Sequence, residues 1–202
     1  MPDTPSALPQ GYGQPGGERL PMPQDPQINE AQRAAAQGLI NGPRKGVFGP
    51  FLPLLRSPAL LERVGKVGEY LRFESVLDAR IRELVTCAVA RHVGNQFEWV
   101  MHAPLARKAG VAGATIEALR TGARPRNLPR DEEVALDFSR ELLHTNGCSD
   151  ATYADALQCF GEQGVVELTS LVGYFVMVCW VMNVARTPAL PADERGIDGF
   201  PG

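Results

Sequence analysis

The chain has 202 residues, 44% of them hydrophobic and 21% charged, with a formal net charge of −3 and a pI near 5.7. That leaves room for one domain with a real core plus a tail, in an ordinary water-compatible composition. It excludes a strongly basic nucleic-acid binder: Arg120, Arg124, Arg126 and Arg130 cluster, but they read as a solvated loop.

Residues 1–27 hold seven prolines and four glycines, too little apolar surface to bury, and read as a tail or an arm, with wrapping of a neighbouring subunit as the alternative. Asn29 is placed to cap a first helix over 29–40, which Asn41-Gly42-Pro43 ends. A loop containing Gly49-Pro50-Phe51 follows. Ser57-Pro58 reads as a cap and first helical position for a helix reaching about Leu71.

The next helix is expected over 77–93. Leu77, Ile81, Leu84, Val85 and Ala88 form one apolar stripe, and Val76, Glu83, Cys87 and Ala90 form another. Glu83 is therefore an acid in the middle of an apolar face, which is costly unless it is paired or protonated. Gly94 breaks this helix, and the next runs over 97–109, with a kink expected at Pro104 and a stop at Gly110. Shorter helices are expected over 114–120, 131–144 and 150–160, the last closed by Gly161.

A final helix over 165–186 is apolar nearly all round, and Pro188 and Pro191 terminate it. Its length would permit a membrane span, but a lone Glu167 inside it suits a bundle core better. No strand pattern emerges. The expected fold class is all-α: a tail over 1–27, one helical domain over 28–190 and a tail over 191–202.

The cysteines are Cys87, Cys148, Cys159 and Cys179, with no two at redox-pair or zinc spacing. Cys87 and Cys179 lie in apolar helical runs, as buried thiols do. No secretory signal is read at the N-terminus, and the expectation is a cytoplasmic protein. Gly-rich phosphate loops and Gly-x-Ser-x-Gly elbows are missing from the sequence.

The chemistry concentrates around Glu98 and His102. Four residues apart on a helix, they lie one turn apart on the same face, where a carboxylate and an imidazole can share a proton. Glu83 lies one helix upstream. Each has a plainer reading: Glu98 as a surface partner, Glu83 as a structural carboxylate paired with Arg82 or Arg91. Asn95, following Gly94, has the look of a helix cap. Trp99 reads first as packing and second as a pocket wall, and so does Tyr174 as a possible ligand contact. A metal held by Glu83, Glu98 and His102 is a weak reading without a second His.

The text Arg80-Ile81-Arg82-Glu83-Leu84-Val85, then Gly94-Asn95-Gln96-Phe97-Glu98-Trp99-Val100-Met101-His102, resembles the carboxymuconolactone decarboxylase and alkylhydroperoxidase D-like family. In that family a Glu on one helix precedes a Cys-x-x-Cys pair on the next, and a His follows four residues after the second Cys. Glu83 stands 19 residues before His102, as the family Glu does. Asn95 and Glu98 stand where the two cysteines would be.

The resemblance covers about residues 40–190. It implies the orthogonal helical bundle of that family, a homo-oligomer (commonly a trimer or hexamer) and no metal or cofactor. It implies a small-molecule substrate, and neither nucleic acid nor membrane is expected as a partner. The leading expectation is a decarboxylase-like lyase acting on a small lactone or carboxylic acid. His102, Glu98 and Glu83 would be catalytic, and Asn95, Trp99, Arg80, Arg82, Arg91 and Tyr174 would be candidates for substrate binding. A thiol peroxidase is the alternative, disfavoured by the missing cysteine pair. A non-enzymatic ligand-binding bundle is the third.

Overall fold

The computed structural model describes residues 17–24, 27–189 and 194–197, and these form eight helices and no strands. In chain order they are α1 Glu30–Asn41, α2 Phe51–Leu54, α3 Pro58–Phe73, α4 Ala79–Val93, α5 Gln96–Lys108, α6 Gly113–Thr121, α7 Arg130–Thr145 and α8 Asp150–Ala185. Helix α1 starts where expected. The Asn29 side chain accepts from the Gln32 amide at 2.9 Å and Gln32 returns the bond at 3.0 Å, a reciprocal cap. Helix α2 was not expected: its four residues, with a proline among them, are too short for any periodicity to register.

Helix α4 is the hub. It packs on α5, α6, α7 and α8, and both of its apolar stripes are used. One stripe, with Ile81 and Val85, joins the main core with α1, α3, α7 and α8. The other, with Cys87 and Ala90, joins a second core with Trp99, Ala103, Ile116 and Ile197, and Leu84 and Ala88, expected on the first stripe, pack into this core instead. Arg120 departs from the solvated loop expected of its cluster. It is buried, and its guanidinium holds Glu117 at 2.8 Å.

The two helices expected over 150–160 and 165–186 are joined into α8, but Gly161 stands inside it with φ 68° and ψ 176°, a break that only glycine takes without strain. The apolar half has an 18-residue window of mean hydropathy 1.9, of which 56% is buried against the rest of the bundle. Glu167 explains itself there. Its carboxylate accepts from Tyr70 Oη at 2.5 Å, Ser75 Oγ at 2.6 Å, the Val76 amide at 2.8 Å and Gln163 Nε2 at 2.8 Å, tying α8 to the end of α3. Burial pushes its pKa up, but these four donors outweigh that and bring it down to about 2.

Both ends of the described chain return to the body. The Arg19 amide donates to Ala185 O at 2.7 Å at the end of α8, and Arg56 Nη1 donates to Leu20 O at 3.1 Å. At the other end Gln96 and Ile197 exchange two hydrogen bonds, 2.9 and 3.0 Å, and Trp99 Nε1 donates to Arg195 O at 2.9 Å. Most of the 1–27 segment, and residues 190–193 and 198–202 of the C-terminal region, lie outside the described residues.

Candidate functional site

The site is built at the α4–α5 corner. Gly94 takes the left-handed conformation, φ 69°, and closes α4 with its amide on Ala90 O and Arg91 O. Asn95 then caps α5, its Oδ1 accepting from the Glu98 amide at 2.8 Å. So short a turn folds α5 back beside α4. At 1.5 Å rise per residue, Glu83 lies roughly 16 Å before Gly94 and His102 roughly 12 Å after it. The two side chains therefore meet at nearly the same level.

They meet closely. His102 Nδ1 is 2.5 Å from Glu83 Oε2, and His102 Nε2 is 3.1 Å from Glu98 Oε2. The imidazole is buried, and the Phe175 ring from α8 stands edge-on to it at 5.2 Å between centroids. Burial pushes the imidazole pKa down, but the bonds to Glu83 and Glu98 and their negative charge outweigh it and raise the value to about 9. At neutral pH the ring is a cation between two carboxylates. These occupy its two nitrogens on opposite sides, so the three groups do not converge on one point where an ion would sit. Among the described residues no cluster of three or more His, Cys, Asp or Glu side chains suits a metal.

Glu98 and His102 line a cavity of about 40 Å³, together with Arg44, Arg72, Met101 and Tyr174. Glu83 lies behind His102 and does not line it. Ligand sites are commonly about 300–1,000 Å³, and this cavity is far smaller, with Phe48 and Met101 among the side chains on its wall.

The other expected contact residues are dispersed. Tyr174 lines the cavity. Asn95 is fully buried as the α5 cap, and its Nδ2 donates to Asn183 Oδ1 at 2.8 Å and Cys179 O at 3.3 Å. Trp99 is fully buried in the second core. Arg80 is spent on α7, with Asp131 and Glu132 each at 2.5 Å. Arg82 bonds the Leu77 carbonyl at the start of its own helix, and Arg91 lies against Gly122 at the end of α6. None of these three arginines lines the cavity; they fan out along α4 on faces turned to other neighbours.

The two cations that do line it, Arg72 on the last turn of α3 and Arg44, were both missed. Arg44 lies in the α1–α2 connection, a Gly- and Pro-rich stretch in which no periodicity marks a facing direction. Neither core thiol is a nucleophile of the ordinary kind. Burial first, and then Glu83 for Cys87 or Glu98 for Cys179, pushes both pKa values well above the usual thiol range.

An all-α bundle with a carboxylate–imidazole–carboxylate triplet at its helical corner defines the class. Residues 58–141, from the start of α3 into α7, match the model of the carboxymuconolactone decarboxylase family. No curated protein matches the chain in sequence.

Three solved structures share the fold. One is an alkylhydroperoxidase AhpD core, an uncharacterized peroxidase-related protein from Ralstonia eutropha JMP134: TM-score 0.68, 16% identity, 87% of this chain and 93% of that one. A peroxidase-related protein from Silicibacter sp. TM1040 gives TM-score 0.68 and 18% identity over 88% and 95%. A putative antioxidant defence protein AhpD from Agrobacterium tumefaciens gives TM-score 0.60 and 17% identity over 69% and 96%.

Proposed function

We propose that the protein is an enzyme that delivers a proton to a small lactone or carboxylic acid, with decarboxylation as the reaction. The observation that carries this reading is the buried His102 held between Glu83 and Glu98, its pKa at about 9, on the wall of a cavity. In such a step the bond to the departing carboxylate breaks, carbon dioxide leaves, and the electron pair moves into a conjugated carbonyl. The resulting enolate carbon takes a proton from the His102–Glu98 pair, and water restores it. A positive imidazolium beside the developing enolate also stabilises its charge.

The two carboxylates take different parts in this scheme. Glu83, behind the ring at Nδ1, orients the imidazole and balances its charge. Glu98, in the cavity, shares the proton that moves. Protein groups alone supply this chemistry. The proposal includes a homo-oligomer, trimer or hexamer, as the working form.

Thiol peroxidase activity needs an accessible low-pKa thiolate and a resolving partner. Asn95 and Glu98 supply neither, and Cys87 and Cys179 are buried with raised pKa values. The deciding experiment measures carbon dioxide release from a panel of small unsaturated lactone acids, and peroxide turnover with a dithiol. His102→Gln is expected to lose at least 100-fold in decarboxylation, while a variant lacking all four cysteines keeps it. Robust peroxide turnover abolished by Cys87→Ser would overturn the reading.

A further inference from the structure

The cavity beside His102 has a second polar wall that proton transfer does not use. Arg44 Nε and Nη2 are both shut off from solvent; the Tyr174 hydroxyl interacts with the guanidinium, but no hydrogen bond of good geometry reaches either nitrogen. These two nitrogens form the side-on edge of the guanidinium, where two parallel N–H donors match the two oxygens of a carboxylate. A buried donor pair left unsatisfied is rare and calls for a partner.

The edge is also held in place. The guanidinium carbon lies 4.5 Å from the centroid of the Phe51 ring. Gly68 makes room for it: a methyl group there would fall 2.6 Å from Arg44 Nη2 and 2.1 Å from the Tyr174 hydroxyl. The charge balance points the same way. Arg44 and Arg72 face Glu98 and the charged His102 across the cavity, with Glu83 behind the ring. Glu69 is within electrostatic range of Arg44 but bonds neither free nitrogen. The wall itself therefore carries two guanidinium cations and one imidazolium against the single carboxylate of Glu98, with Glu83 and Glu69 outside it, and a positive wall suits an anion.

We infer that Arg44 is the anion-holding residue of this pocket, its Nε–Nη2 edge taking both oxygens of a small carboxylate whose remaining atoms face His102. The inference rests on the reading of His102 and Glu98 as the proton-transfer pair, and it narrows the substrate class to small acid anions over neutral lactones, esters and peroxides. Arg44 is a binding residue in this scheme, and Arg72 adds charge without the fork.

The test is an NMR titration that follows the His102 imidazole signals, readily assigned among three histidines. The probes are acetate and its neutral counterpart acetamide, at constant ionic strength. Acetate is expected to bind at least tenfold more tightly than acetamide to the wild-type protein. Arg44→Gln should bring the two within about twofold, and Arg44→Lys, which keeps the charge but loses the fork, should fall between. Equal binding of the two probes to wild type, or an undiminished preference in Arg44→Gln, overturns the inference.

So does a preference that Arg72→Gln abolishes and Arg44→Gln does not. If Arg44→Gln fails to fold, Arg44→Lys decides: an unchanged ratio overturns the inference and at least a threefold loss supports it. His102→Gln, followed through the Tyr174 ring signals, is expected to retain the preference. Decarboxylation persisting in His102→Gln defeats the proton-transfer reading and leaves the anion site standing. Loss of the preference in wild type does the reverse.

Discussion

At the scale of single residues, His102 is the group whose environment does most to its chemistry. Its folded pKa of about 9 stands above the ordinary imidazole value of 6.5 because two carboxylates bond it despite burial. A raised pKa means that the folded state holds the proton more tightly than the unfolded chain. The stabilisation is therefore complete below about pH 6.5 and is lost as pH rises through 9. At roughly 1.4 kcal/mol per unit, the ceiling is about 3 kcal/mol. The stability advantage of wild type over His102→Gln, measured by urea unfolding, is expected to shrink by up to that amount between pH 6.5 and 9.5. A difference that stays flat across this window would show that the imidazole is not held as a cation. Glu167 works in the opposite sense: its depressed pKa contributes stability above about pH 4.5 that is lost as pH falls through about 2.

At the scale of elements, the α4–α5 corner decides whether the triplet assembles. Asn95 satisfies the Glu98 amide and ties the start of α5 to α8, so it acts on the site without lining it. Asn95→Ala is expected to cost about 1–2 kcal/mol, a fall in melting temperature of roughly 2–8 °C for a chain of this size. Asn95→Ser should recover part of it; equal melting for Ala and wild type would remove the cap from the argument. This corner was legible in the sequence because its determinants are local. Gly94 and Asn95 announce a helix break and cap, and four-residue spacing puts Glu98 under His102. Glu83 was legible as an acid out of place on an apolar stripe and, through the family resemblance, by its 19-residue distance from His102. The arginines were not, because a long flexible side chain follows whichever partner tertiary packing supplies: Arg80 to α7, Arg91 to α6, and Arg44 to the cavity. The break within α8 was legible too, because Gly161 is the residue whose non-helical dihedrals divide it into the two runs expected.

At the scale of the whole molecule, one face of α8 has no partner among the described residues. Val166, Met177, Trp180 and Val184 recur along it at helical spacing with 65%, 37%, 61% and 64% exposure. Near Val166 it adjoins an open groove of about 670 Å³ whose apolar wall includes Val67 and Leu71 of α3. Contiguous apolar surface of this kind marks an association site. We expect light scattering to report a multimer at micromolar concentration and Trp180→Glu to give a monomer; a wild-type monomer would remove α8 as an interface. The return of residues 194–197 onto α5 has a different bearing, on the order in which the protein is made. Gln96 is 101 residues ahead of Ile197, its two-bond partner. At about 5–20 residues per second, the ribosome leaves roughly 5–20 seconds between them. Through that interval the Gln96 amide and the Trp99 indole N–H, sealed in the finished protein, have only water to bond. The helix that carries Glu98 and His102 is thus made near the midpoint of the chain and is among the last parts to be closed.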